Sequence, residues 1–209
     1  MPIRSDREYR NSGSFEAQDD YWVEGYASTF DRYVLYEFDG NQYFEQIDRN
    51  AFDKADLSDV VLLRDHQGRV LARTKNGSLQ LSVDEHGLKV RANLGLTEAG
   101  REMYEDIKVK NYTQMSFSFT VEDEEYDKST RTRFLRGLKK LFDVSVVAFP
   151  ANNYTEIGLS ARDIFNGVIE EEKAERLERE KRDRARQVLA VRIKIMKGEI
   201  HGNQRDENR

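Results

Sequence analysis

The sequence predicts a mainly β chain with helices, an α+β fold built on a closed or nearly closed antiparallel barrel with peripheral helices and a charged C-terminal helix. Three observations predict it. Between residues 21 and 149 short apolar runs alternate with polar residues at period two and are rich in β-branched and aromatic side chains. Turn residues break these runs at short intervals, as in all-β folds that close on themselves. After Leu159 the text changes abruptly to charge-dense, helix-favouring sequence. At 209 residues, length favours one domain with an appendage, and 35% charged against 38% hydrophobic residues means that part of the chain is not packed.

Residues 1–20 hold only Ile3, Tyr9 and Phe15 as sizeable apolar groups, so they read as a flexible N-terminal arm. The β domain then spans 21–160. Its strands are YWVEGYASTF, QYFEQI, DVVLLRD, VLART, LQLSV, LKVRANL, QMSFSFTV, RFLRGL and LFDVSVVAF. Leu79, Leu81 and Val83 alternate with polar residues, Asp84 to Gly87 make a turn, and Leu88, Val90 and Ala92 resume the alternation, which predicts a hairpin. Thr97 is an N-cap for a helix carrying Met103, Tyr104 and Ile107 and closing at Asn111. A shorter helix is expected over Asn50 to Ala55, and Pro150 is expected to end the last strand. Residues 161–209 form a charged helix and tail. Ala174, Leu177 and Ala185 are the apolar side chains between Ile169 and Val188, too few to dock on a core. Glu172/Arg176, Glu175/Arg179, Glu178/Arg182 and Glu180/Arg184 stand in the supportive i,i+4 order. Val188, Leu189, Val191, Ile193, Ile195 and Met196 then form an apolar cluster suited to a partner or second subunit, so a homo-oligomer is possible.

Charge and composition narrow the function. A net charge of −5 supplies no basic field for nonspecific nucleic-acid or membrane binding. With no cysteine, thiolate catalysis, disulfides and Cys-based zinc sites are impossible. The polar start and the lack of a long apolar run predict a cytoplasmic chain. No phosphate-binding loop, dinucleotide fingerprint or nucleophile elbow occurs, and no cofactor or metal is predicted.

What remains is a small set of side chains. Of three histidines, His201 lies in a polar tail and His86 in a turn, whereas His66 stands where the apolar run VVLL ends. In QMSFSFTV, alternation puts Met115, Phe117 and Phe119 on one face and Ser116, Ser118 and Thr120 on the other. The two serines are about 6.5–7 Å apart on one strand face, so one histidine serves at most one of them. Asp143 is an acid inside an apolar strand, to be paired either with a histidine or with Lys139 or Lys140. Alternation places Leu141, Asp143, Ser145 and Val147 on a common face.

The motifs, taken in order, resemble the prohead maturation proteases of tailed bacteriophages, related to the herpesvirus assemblins. The resemblance runs through Val23-Glu24-Gly25-Tyr26-Ala27-Ser28-Thr29-Phe30-Asp31, Glu45 to Phe52, Leu63-Arg64-Asp65-His66, Val70 to Thr74, Met115 to Phe119 and Leu141 to Asn152, covering about 21–160. It implies an assemblin-like fold, a serine endopeptidase with His66 as general base and Ser116 as nucleophile, and Asp143, where the family more usually has Glu, as third member. Ser118 stands where Gly is frequent, and Asn50 replaces a Gly that a left-handed turn would require. The resemblance also implies cleavage of the scaffolding protein or a scaffold-like region of the major capsid protein, followed by self-cleavage, inside the prohead in the bacterial host cytoplasm. The Arg131 to Arg136 loop is a candidate for flanking the site. Two other readings stay open: a non-catalytic β domain acting as a capsid or scaffold assembly adaptor, and a divalent-ion site formed by Asp65, His66 and Glu122 to Glu125.

Overall fold

The computed structural model describes residues 7–148 and 159–197. The chain divides into two compact units, Met1–Arg162 and Asp163–Arg209. The first is mainly β. Its strands are β1 (Glu8–Ala17), β2 (Trp22–Thr29), β3 (Tyr33–Phe38), β4 (Asn41–Ile47), β5 (Val61–Arg64), β6 (Gln67–Arg73), β7 (Leu79–Val83), β8 (Gly87–Asn93), β9 (Gln114–Asp127) and β10 (Thr132–Val147). Helix α1 spans Glu98–Lys108 and α2 spans Leu159–Met196.

One curled sheet runs β3-β4-β10-β9-β1-β2-β8-β7, with β5 and then β6 branching from β10. It differs from the expected barrel in two ways. Among the described residues β3 and β7 stand at opposite ends of the strand order and do not pair with each other, so the described sheet is a half-barrel. Its pairing is also mixed, because β4 and β5 both lie parallel to β10, along successive halves of that 16-residue strand. Two separate predicted strands, RFLRGL and LFDVSVVAF, are thus one long strand that supports two neighbours on the same edge.

The flexible arm expected over 1–20 does not hold for residues 8–17, which form β1 in the middle of the sheet. The cause is ionic and was hidden by the polar composition. Arg10 donates from Nε to Glu45 and from Nη2 to Glu8 and, at 2.8 Å, Glu45. Arg133 donates to Glu8 at 2.8 and 2.9 Å and to Glu45 at 2.7 Å. All four residues are buried. Burial alone disfavours their charged forms, yet the arginines hold the Glu45 carboxyl below its ordinary range. Gly25 completes the docking, since a Cβ there would meet the Ser14 carbonyl at 2.0 Å.

The hairpin β7–β8 forms as predicted, with Leu79, Leu88, Val90 and Ala92 buried. Thr97 caps α1 by accepting a hydrogen bond from Gly100 N at 3.0 Å, and Met103, Tyr104 and Ile107 face the core. No helix forms over Asn50 to Ala55. Hydrogen bonds of the i,i+3 kind, such as Asp53 N to Asn50 O at 3.1 Å, make consecutive turns instead, and Asn50 does not adopt positive φ. Strand β3 was missed, and Pro150 and His201 lie outside the described residues.

In the second unit, residues 173–196 of α2 are all exposed, including the predicted apolar cluster from Val188 to Met196. The ion pairs Glu170/Lys173, Glu178/Lys181 and Asp183/Arg186 have i,i+3 spacing, and the expected Glu175/Arg179 and Glu180/Arg184 pairs do not form. Exposed pairs differ by only tenths of a kcal/mol, so composition does not dictate which partner is taken. No helix among the described residues is long and apolar enough to cross a membrane.

Candidate active site

Three sheet elements meet at the site. Strand β9 puts Met115, Phe117 and Phe119 into the core, as alternation predicted, and directs Ser116 and Ser118 to the other face. Strand β10 departs from simple alternation. Leu141 pairs with Phe119 and Asp143 with Ser118, so Phe142 is an extra residue, and the bulge turns both Leu141 and Val144 into the core. Leu141 therefore does not share a face with Asp143, contrary to the period-two reading. The bulge brings Asp143 opposite Ser118 and Ser145 opposite Ser116.

His66 comes from the tight turn between β5 and β6. Arg64 pairs with Gln67, leaving Asp65 and His66 as the two loop residues, with φ of 48° and 57°. Positive φ at both positions is the type I′ geometry that right-twisted hairpins favour and that glycine or asparagine usually fills. A histidine there costs roughly 1–2 kcal/mol. Backbone bonds from Asp65 N to Val146 O at 3.0 Å and from His66 N to Ser145 Oγ at 3.2 Å hold the turn against β10. Strain of this kind is a recurrent feature of functional sites.

The side chains then form one chain of contacts. His66 Nδ1 is 2.6 Å from Asp143 Oδ1, and His66 Nε2 is 2.6 Å from Ser116 Oγ. Asp143, fully buried, also accepts from Ser145 Oγ at 2.9 Å, from Ser118 Oγ and from Arg7 Nη2. Burial alone would push its carboxyl up, but the hydrogen bonds from His66 and Ser118 and the Arg7 charge outweigh that and hold it below its ordinary range. An ionised carboxylate can only accept, so Nδ1 carries the proton toward Asp143 and Nε2 is free to accept from the Ser116 hydroxyl. The arrangement can draw a proton off a serine and return it to a leaving group. Tyr9 packs edge-on against the imidazole, with ring centres 4.7 Å apart.

The family model described as caudovirus prohead serine protease matches residues 8–168, more than three quarters of the chain. The chain belongs to that family. No curated protein and no solved structure matches it. Its role is that of a phage protease, in the maturation of the prohead.

Of the residues singled out in the sequence, the protease brings His66, Ser116 and Asp143 together. Lys140 does not compete for Asp143, being paired with Asp56 at 2.8 Å. His86 stays in its turn, where its backbone N–H donates to Asp84 at 2.8 Å. The Arg131 to Arg136 segment does not flank the site through Arg133 or Arg136: Arg133 is buried in the ionic network, and Arg136 pairs with Asp48 and Glu125. The divalent-ion reading fails on occupancy of its donors, since both His66 nitrogens are engaged and Glu124 and Glu125 pair with Arg133 and Arg136. Arg7, Ser118 and Ser145 were not recognised as partners of Asp143. The bulge and the arm that place them leave no periodic trace, though an unexplained acid beside hydroxyl-bearing strands was a signal that such partners exist.

Proposed function

We propose that the protein is a serine endopeptidase in which Ser116 is the nucleophile, His66 the general base and acid, and Asp143 the group that orients the imidazole. The observation that carries this reading is the unbroken contact from Asp143 through both ring nitrogens to Ser116, 2.6 Å at each end. Ser116 Oγ attacks the scissile peptide carbonyl and its proton passes to His66 Nε2. The tetrahedral intermediate collapses as His66 gives that proton to the leaving amine, which departs and leaves an ester on Ser116. Water then loses a proton to the same nitrogen and attacks the ester, and His66 returns that proton to Ser116 Oγ as the acid departs, restoring both side chains. Asp143 stays ionised throughout.

The substrate we propose, on the strength of family membership, is the scaffolding protein or a scaffold-like region of the major capsid protein, inside the prohead within the bacterial host, followed by the protease itself. Co-expression with the capsid and scaffold proteins tests it. Ser116→Ala and His66→Ala should each lower cleavage by roughly 10⁴-fold or more while melting like the wild type. Wild-type cleavage in either variant would refute the assignment, and normal maturation in both would favour the assembly-adaptor reading instead.

A further inference from the structure

Three groups on Asp143, namely Arg7, Ser118 and Ser145, have no part in the proton transfer, yet each donates a hydrogen bond to it. Arg7 has no acceptor, so its Nε, 2.9 Å from Ser118 Oγ, makes that oxygen the acceptor. The single Ser118 proton is thereby directed onto Asp143 Oδ2, where Arg7 Nη2 also donates. On the other oxygen, Ser145 accepts from His66 N and donates to Oδ1 beside His66 Nδ1. Four donors fill the roughly four acceptor positions of a carboxylate. Asp143 then cannot rotate without breaking several charge-assisted bonds, and the imidazole that it holds stays aimed at Ser116.

The clamp has a distinct origin from the rest of the site. Arg7 immediately precedes β1, and its guanidinium lies against the rings of Phe142 at 4.6 Å and Tyr9 at 5.4 Å. The register of β1 is set on the opposite face by Glu8 and Arg10 in the buried ionic network.

We propose that Arg7 and Ser118 are positioning residues of the peptidase, clamping the second oxygen of Asp143 so that His66 is held toward Ser116. This rests on the triad reading above. Among the described residues, the groups facing Asp143 are Arg7 ahead of β1, His66 from the β5–β6 turn, Ser118 from β9 and Ser145 from β10, with Tyr9 beyond the imidazole. Arg7 is the cation among them whose charge is permanent, and it offsets part of the carboxylate's pull on an imidazolium.

The test is the rate at which a fluorophosphonate probe labels the full-length chain, followed against pH, with thermal melting of every variant. Ser118→Ala removes one oxygen and leaves the arginine network of β1 untouched, and it should slow labelling about 10- to 100-fold. Arg7→Gln should slow it similarly and move the acid limb of the profile up by about half to one pH unit, because protonated His66 is then less opposed. Arg7→Lys keeps the charge and should restore the limb to its wild-type position, which a merely structural role would not require. Wild-type rates in both Ser118→Ala and Arg7→Gln would overturn the proposal, as would slowing of Arg7→Gln and Arg7→Lys with no movement of the limb in either. Labelling of Ser116→Ala at the wild-type rate would instead bring down the triad reading, and the clamp with it.

Discussion

Asp143 is one methylene shorter than the glutamate that the family more usually carries, and the surrounding hydroxyls make that length workable. Ser118 and Ser145 reach it from either side, and His66 Nδ1 is within 2.6 Å. Replacing the carboxylate with a carboxamide, Asp143→Asn, presents an N–H₂ donor where an acceptor is needed. It favours the tautomer with the proton on Nε2, which cannot accept from Ser116. The expected loss in kcat is roughly 10⁴-fold, measured on any cleaved substrate; a loss under tenfold would show that Asp143 does not set the tautomer. The same residue links to stability. Its carboxyl is held below the ordinary value in the folded state, so its contribution is complete above an unfolded value of about 4 and is lost as pH falls through the folded one. Denaturant unfolding from pH 6 to pH 3 should therefore show a weaker acid-side loss in Asp143→Asn than in wild type. Parallel curves would contradict the linkage.

The elements owe their placement to features that period-two reading handles unequally. The β7–β8 hairpin, α1 with its Thr97 cap and the buried face of β9 were legible because each has a run of alternating or helically spaced apolar residues. The candidate triad was legible in its residues, through the resemblance, but not in its geometry. The bulge at Phe142 obeys no periodicity, and it is the feature that sets Asp143 opposite Ser118. Strand β1 was illegible for a different reason. Its buried side chains include Glu8 and Arg10, which composition assigns to water, and only their pairing with Glu45 and Arg133 across 35 to 125 positions reverses that. Breaking this network is costly, since it strands opposite charges without partners. Arg133→Ala should destabilise the fold by about 3–5 kcal/mol in denaturant unfolding, and a cost below about 1 kcal/mol would show that the network is not what holds β1.

At the scale of the whole molecule, the family match ends at residue 168 and the exposed part of α2 begins soon after, with Val188, Leu189, Val191, Ile193, Ile195 and Met196 uncovered. The lack of an apolar stripe in the sequence predicts that exposure, whereas the ion pairs it predicts at Glu175/Arg179 and Glu180/Arg184 give way to i,i+3 pairs. A segment that costs solvent contact and adds nothing to the core is suited to co-assembly with scaffold or capsid protein. Truncation after Glu170 is expected to leave the melting temperature of the β unit within about 2 °C, since none of the described residues it removes is buried, and to reduce incorporation of the protease into proheads. Unchanged incorporation would refute that role. The proposed peptidase mechanism depends on which oxygen is activated. Mass-spectrometric mapping of the intact protein after fluorophosphonate treatment measures this directly. The adduct should be on Ser116 and absent when His66 is replaced by alanine; an adduct on Ser118 or Ser145, or one that forms equally well without His66, would contradict it.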